Sequence, residues 1–146
     1  AAAGALVVVD GGAPLDDLPT GLGRGRHATA RALVVEAAVC IGCCDPSPGG
    51  VARVLDWVAG VRGLAPEVPV LLAVNRAPVD RFRRREIAEA LEEAVSGIAV
   101  FFVPADQRVT EAAWSGRTVA GGGFTRAVES LAAAVLATTG AIEDAA

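Results

Sequence analysis

Four stretches of the chain are apolar almost without interruption: ALVVVD at 5–10, AVCIGCC at 38–44, VPVLLAVN at 68–75 and GIAVFFVP at 97–104. Continuous runs of this length, without strict alternation, are what a parallel sheet needs when both of its faces are covered. Between the runs the apolar positions change period. Val51, Val54, Leu55, Val58 and Val61 fall on one face of a helix over 51–62. Ile87, Ala90, Leu91, Ala94 and Val95 repeat that spacing over 84–96, and Gly97 is placed to cap this helix at its C-terminus. Phe124, Val128, Leu131 and Val135 form the stripe of a last helix. Strand and helix in alternation predict an α/β fold, a doubly wound and mainly parallel sheet with helices on both faces.

Ligands of such sheets sit at the carboxyl ends of the strands. That singles out the four exits, Asp10-Gly11-Gly12, Asp45-Pro46-Ser47-Pro48, Asn75-Arg76-Ala77-Pro78 and Pro104-Ala105-Asp106. The same residue types build strand-to-helix turns, so each exit also has a plain reading: Asn75 closing a buried strand, Asp106 capping the next helix. The stretch 11–27, GGAPLDDLPTGLGRGRH, reads as one long loop. Its GLGRG segment lacks the strand-turn-helix setting of a phosphate loop.

Composition narrows the picture. With 146 residues and 53% hydrophobic content, one compact domain is expected. A net charge of −4 speaks against a general nucleic-acid binder. The first apolar run is too short and lacks a basic flank, and no run reaches the length of a membrane span, so the reading is a cytoplasmic chain with no transmembrane segment. All 13 basic residues are Arg, and the absence of Met leads to the expectation of a fragment or a processed product. Cys40, Cys43 and Cys44 crowd into one expected strand far from the single His27, which favours buried structural thiols over a metal or redox site. The run DRFRRRE sets Arg81, Arg83, Arg84 and Arg85 at the start of a helix, where positive charge opposes the macrodipole. A solvated loop and a contact with acidic lipid, nucleic acid or a partner protein are both open there.

Taken in order, ALVVVDGG, VVEAAVCIGCCDPSPGGVARVLDWV, VPVLLAVNRAP and VFFVPADQRVTEAAWSGRTV resemble the second half of the MinD/ParA-like ATPases, the deviant Walker A group of SIMIBI-class P-loop proteins. The likeness is to the actinobacterial septum-site-determining and CpaE/TadZ-like pilus-assembly branches and runs from about residue 5 to 136. It implies a partial nucleotide-binding domain over 1–140 that lacks the P-loop strand, with a short acidic tail at 141–146. It implies that Asp10 is the catalytic carboxylate that reaches magnesium through water. Asn75 would then read the adenine edge, with Arg76 and the backbone from Pro104 to Asp106 flanking the ring.

For the parent protein the resemblance implies ATP and magnesium as cofactors, a homodimer around ATP, and partners at a membrane or secretion machine. The process would be septum-site determination, pilus or secretion-machine positioning, or chromosome partitioning, in the cytoplasm or peripheral to the inner face of the membrane through partners. This chain departs from the family in one large respect: it has no lysine and no Gly-x-x-x-x-Gly-Lys loop. Nothing would balance a triphosphate's charge, so the chain alone is expected to be inactive and to bind no cofactor. In the family the P-loop strand lies between the strands matching 5–10 and 38–44, so either a gap or a re-paired sheet is expected at that seam. The alternative is a degenerate, non-catalytic MinD-like scaffold that docks a partner. A receiver domain, the weakest reading, would want a lysine after a late strand. The tail ATTGAIEDAA is acidic, unlike the basic membrane helix that ends MinD.

Overall fold

A computed structural model describes residues 6–12, 15 and 26–143. The GLGRG segment and the end of the acidic tail lie outside the described residues, as does the His27 side chain. Three strands, β1 (Cys40–Cys44), β2 (Val70–Ala77) and β3 (Ala99–Pro104), form a parallel sheet in the order β1-β2-β3. Five helices accompany them among the described residues: α1 (Arg26–Glu36), α2 (Pro48–Leu64), α3 (Arg81–Ala94), α4 (Gln107–Ser115) and α5 (Gly122–Glu143). The register pairs Cys40 with Val70 and Cys44 with Val74 on one side of β2, and Leu71 with Ala99 on the other.

The helices begin where the strand exits supply caps. Ser47 accepts a hydrogen bond from the Gly50 N–H at 3.0 Å, and Pro48 takes the first helical position, where a missing N–H leaves nothing unsatisfied. Asp80 caps α3 through the Phe82 N–H at 2.8 Å. Gly116, at φ +62°, ends α4 in a left-handed turn, with the Arg117 N–H donating to the Ala112 carbonyl at 2.9 Å. The expected cap at Gly97 is displaced: α3 ends at Val95, whose N–H bonds to the Leu91 carbonyl. Gly97, at φ +79°, makes the turn that follows. Buried Leu91 and Val95 hold the end of the helix, so the glycine is used to leave it.

Side chains of even number along the strands face α2 and α3. Leu72, Val74 and Cys44 join Val54, Val58, Leu91 and Val95 in one cluster, with Val100, Phe102, Trp57 and Ile87 around its margin. Odd-numbered Leu71, Ala73 and Val103 point the other way and are buried. On that side α5 lies along β3, its Gly123 beside the Pro104 ring. A second cluster joins Ala30 and Val34 of α1 to Cys40, Val61 and Leu15. Helix α1 was not expected. Its only sequence signal is the pair Ala30 and Val34 at i, i+4, too short to distinguish from the loop before it.

The strand expected over 5–10 is not present. Residues 6–10 form no strand, and Leu6, Val7, Val8 and Val9 are 60%, 77%, 84% and 55% exposed. Apolar composition favours extended chain but does not provide a hydrogen-bonding neighbour, and β1 offers its outer edge to nothing among the described residues. Among the described residues the sheet ends at β1.

Close approach at Gly42 gives the first test. A Cβ there would stand 2.7 Å from Trp57 Cζ3 and 2.8 Å from Leu72 Cδ2. Gly42→Ala is expected to lower stability by about 2 kcal/mol in urea unfolding. Combining it with Trp57→Leu should recover more than half of that loss.

Candidate functional site

The three strand exits place their polar residues along one edge of the sheet, and each is organised differently. After β1, Asp45 accepts the Ser47 N–H at 2.9 Å and meets Arg53 at 3.4 Å. The N-terminal turn of α2 folds tightly over it, since a Cβ on Gly50 would lie 2.5 Å from the Asp45 carbonyl oxygen. The hydrogen bonds to Ser47, helped by Arg53, hold the Asp45 carboxyl below the usual carboxylate range.

After β3, Asp106 caps α4 by accepting the Arg108 N–H at 3.0 Å and takes the Arg108 guanidinium on both carboxylate oxygens. That fork lowers the Asp106 pKa, and the same pair raises that of Arg108. Arg108 also donates to the Gly121 carbonyl at 3.3 Å, and a side chain on Gly122 would collide with its guanidinium. Asp106 is therefore committed to joining α4 to the α4–α5 turn. Its capping role is realised, and a ligand would have to displace Arg108 to reach the carboxylate.

The exit of β2 is the irregular one. Asn75 pairs with Val103 and Ala77 with Pro104, so Arg76 bulges out of the ladder. Arg76 has φ +53°, the one non-glycine in the left-handed region among the described residues. Asn75 Oδ1 stabilises the bulge by accepting the Arg76 N–H at 2.9 Å. One acceptor position of the amide is thereby used. The Asn75 NH₂ and the Arg76 guanidinium are exposed and have no partner among the described residues. Arg76 is thus a backbone outlier at the carboxyl edge of the sheet, with both side chains exposed.

Asp10 stands apart from these exits. Its carboxylate accepts the Gly12 N–H at 3.0 Å in a local turn, with Gly12 at φ +53°. It lies near enough to Cys43 to help raise that thiol, so it belongs beside β1 and not within the sheet. No group of three or more His, Cys, Asp or Glu able to hold a metal occurs among the described residues. One exposed carboxylate already engaged with backbone does not make a magnesium site, and no lysine stands near it to meet phosphates. The residues present do not fit magnesium with a triphosphate.

The cysteines alternate across β1: Cys40 and Cys44 are buried, Cys43 is exposed. The expectation of buried structural thiols thus fails for Cys43, because the period of a strand must turn every second side chain outward. Burial raises all three thiols above their usual pKa; Asp10 adds to the effect at Cys43, and Asp45 and then Cys43 add to it at Cys44. No family model, curated protein or solved structure matches the chain.

Two measurements check this geometry. Asp45 and Asp106 have folded pKa values below the unfolded value of about 3.9, so their contribution is full above that pH and is lost as pH falls further, through the lower folded values. The urea midpoint should fall on acidification below about pH 4, less steeply in Asp106→Asn. In native protein a thiol reagent should modify Cys43 alone, at a rate still rising above about pH 8.5, while Cys40 and Cys44 react only on unfolding.

Proposed function

We propose that this chain is the base-binding half of a nucleotide switch of the MinD/ParA-like type, with the phosphate loop supplied by another stretch of polypeptide. The observation that carries the reading is the Asn75-Arg76 bulge. It directs an amide donor and a guanidinium off the edge of a parallel sheet, beside the backbone of Pro104 to Asp106. The Asn75 NH₂ would donate to a ring nitrogen of adenine, and the Arg76 guanidinium would lie against the ring face. The open outer edge of β1 supports the same reading, because the missing phosphate-loop strand would pair there. In the complete switch two copies would close around ATP. Septum placement, pilus or secretion-machine positioning and chromosome partitioning are the processes such a switch serves. The chain by itself would not hydrolyse ATP.

One observation favours the alternative of a non-catalytic scaffold: both Asp10 and Asp106 are already engaged within the chain. The two readings part at the base site. Titrating the chain with adenosine, while following backbone amide resonances, should perturb Arg76, Ala105 and Asp106 with a dissociation constant of about 1 mM or weaker. Magnesium-ATP should bind no more tightly than adenosine, and Asn75→Ala should weaken the interaction about fivefold, the effect of one hydrogen bond. Shifts confined to other regions would favour the scaffold. Tight magnesium-dependent ATP binding by the chain alone would refute the division of labour proposed here.

A further inference from the structure

Immediately after the β2 exit, the segment that starts α3 exposes apolar side chains among arginines. Val79 is 88% exposed and Phe82 65% exposed. Arg81, Arg83 and Arg85 are exposed around them. Asp80, the only carboxylate of the segment, is spent on the Phe82 N–H as the helix cap. Arg84 turns back to donate to the Pro78 carbonyl and closes the base of the segment. Arg85 is held by Glu89 at 2.7 Å. Arg81 lies over the Phe82 ring at 5.0 Å, and neither it nor Arg83 has a carboxylate partner among the described residues. Two unpaired guanidiniums thus flank two apolar side chains that touch nothing in the core.

We propose that residues 79–85 dock on an anionic lipid bilayer. The interface of a bilayer offers both halves of what this surface lacks: phosphates for Arg81 and Arg83, and an acyl boundary for Val79 and Phe82. Charge fixes the orientation. The chain carries −4 overall, so an anionic plane repels most of the molecule and attracts this corner. It also separates a bilayer from nucleic acid. Beyond its first turn α3 carries Glu86, Glu89, Glu92 and Glu93, which a polyanion lying along the helix would meet, whereas a plane touched only by the tip would not. Val79, being aliphatic, has no base to stack on but does have an acyl chain to enter. The contact is small, so the binding is reversible and strengthened by any second attachment. It does not depend on whether the strand-exit site takes a nucleotide.

The test is sedimentation of the whole 146-residue chain with vesicles of phosphatidylcholine alone or mixed with phosphatidylglycerol. Binding is expected only to the mixed vesicles and should fall as salt is raised. The double variant R81A/R83A should reduce the partition coefficient about tenfold or more, and Phe82→Ser about tenfold, with the unfolding midpoint unchanged because these side chains are exposed. Equal binding to both vesicle types, no binding to either, or no effect of R81A/R83A would overturn the proposal. So would tighter retention on duplex DNA than on the anionic vesicles, lost in that same double variant.

Discussion

Strand β2 is hydrogen-bonded along both edges and covered on both faces, and every other element takes its position from that strand. Leu72 and Val74 turn toward α2 and α3, where Val58 and Leu91 meet them without solvent contact. Leu71 and Ala73 turn the other way and are also buried. A strand that must bury side chains on both sides while its neighbours run parallel requires crossover connections, and α2 and α3 are those connections. Once they lie on one face, the strand exits align on one edge, and the polar residues that follow each strand come together without any contact between them in the sequence.

The hydrogen bonding of that edge separates structural from available groups. Asp45, Ser47, Asp80 and Asp106 are turn and cap residues whose acceptors are satisfied by nearby N–H groups or arginines. Their side chains stabilise the fold and leave little to offer a ligand. Asn75 and Arg76 differ because the bulge between Asn75 and Ala77 lifts Arg76 out of the ladder and both side chains are exposed. A left-handed non-glycine residue is held there at a conformational cost that the Asn75 side chain partly offsets.

Among the described residues, the outer side of β1 is the open side of the sheet. Ile41 and Cys43 remain exposed on one of its faces, and its outer edge is unpaired among the described residues. An edge of this kind is a template for pairing, and a fold normally blocks it with charge, proline or a covering element. None of those devices is visible along Cys40 to Cys44.

Periodicity alone located the three sheet strands, α2, α3 and α5 to within a few residues, since continuous apolar runs and 3.6-residue stripes reflect burial that the side chains carry with them. The strand exits were legible for the same reason: polar and turn-forming residues must follow a buried strand. Which exits would be spent on turns was not legible, because Asp106 reads identically as a cap and as a ligand contact until Arg108 is seen to close on it. The bulge at Arg76 and the outward face of Cys43 were likewise decided by register. The segment 5–10 marks the boundary most sharply. Its sequence determines a preference for extended chain, but a strand exists only where another strand meets its hydrogen bonds, and that is a property of the tertiary structure.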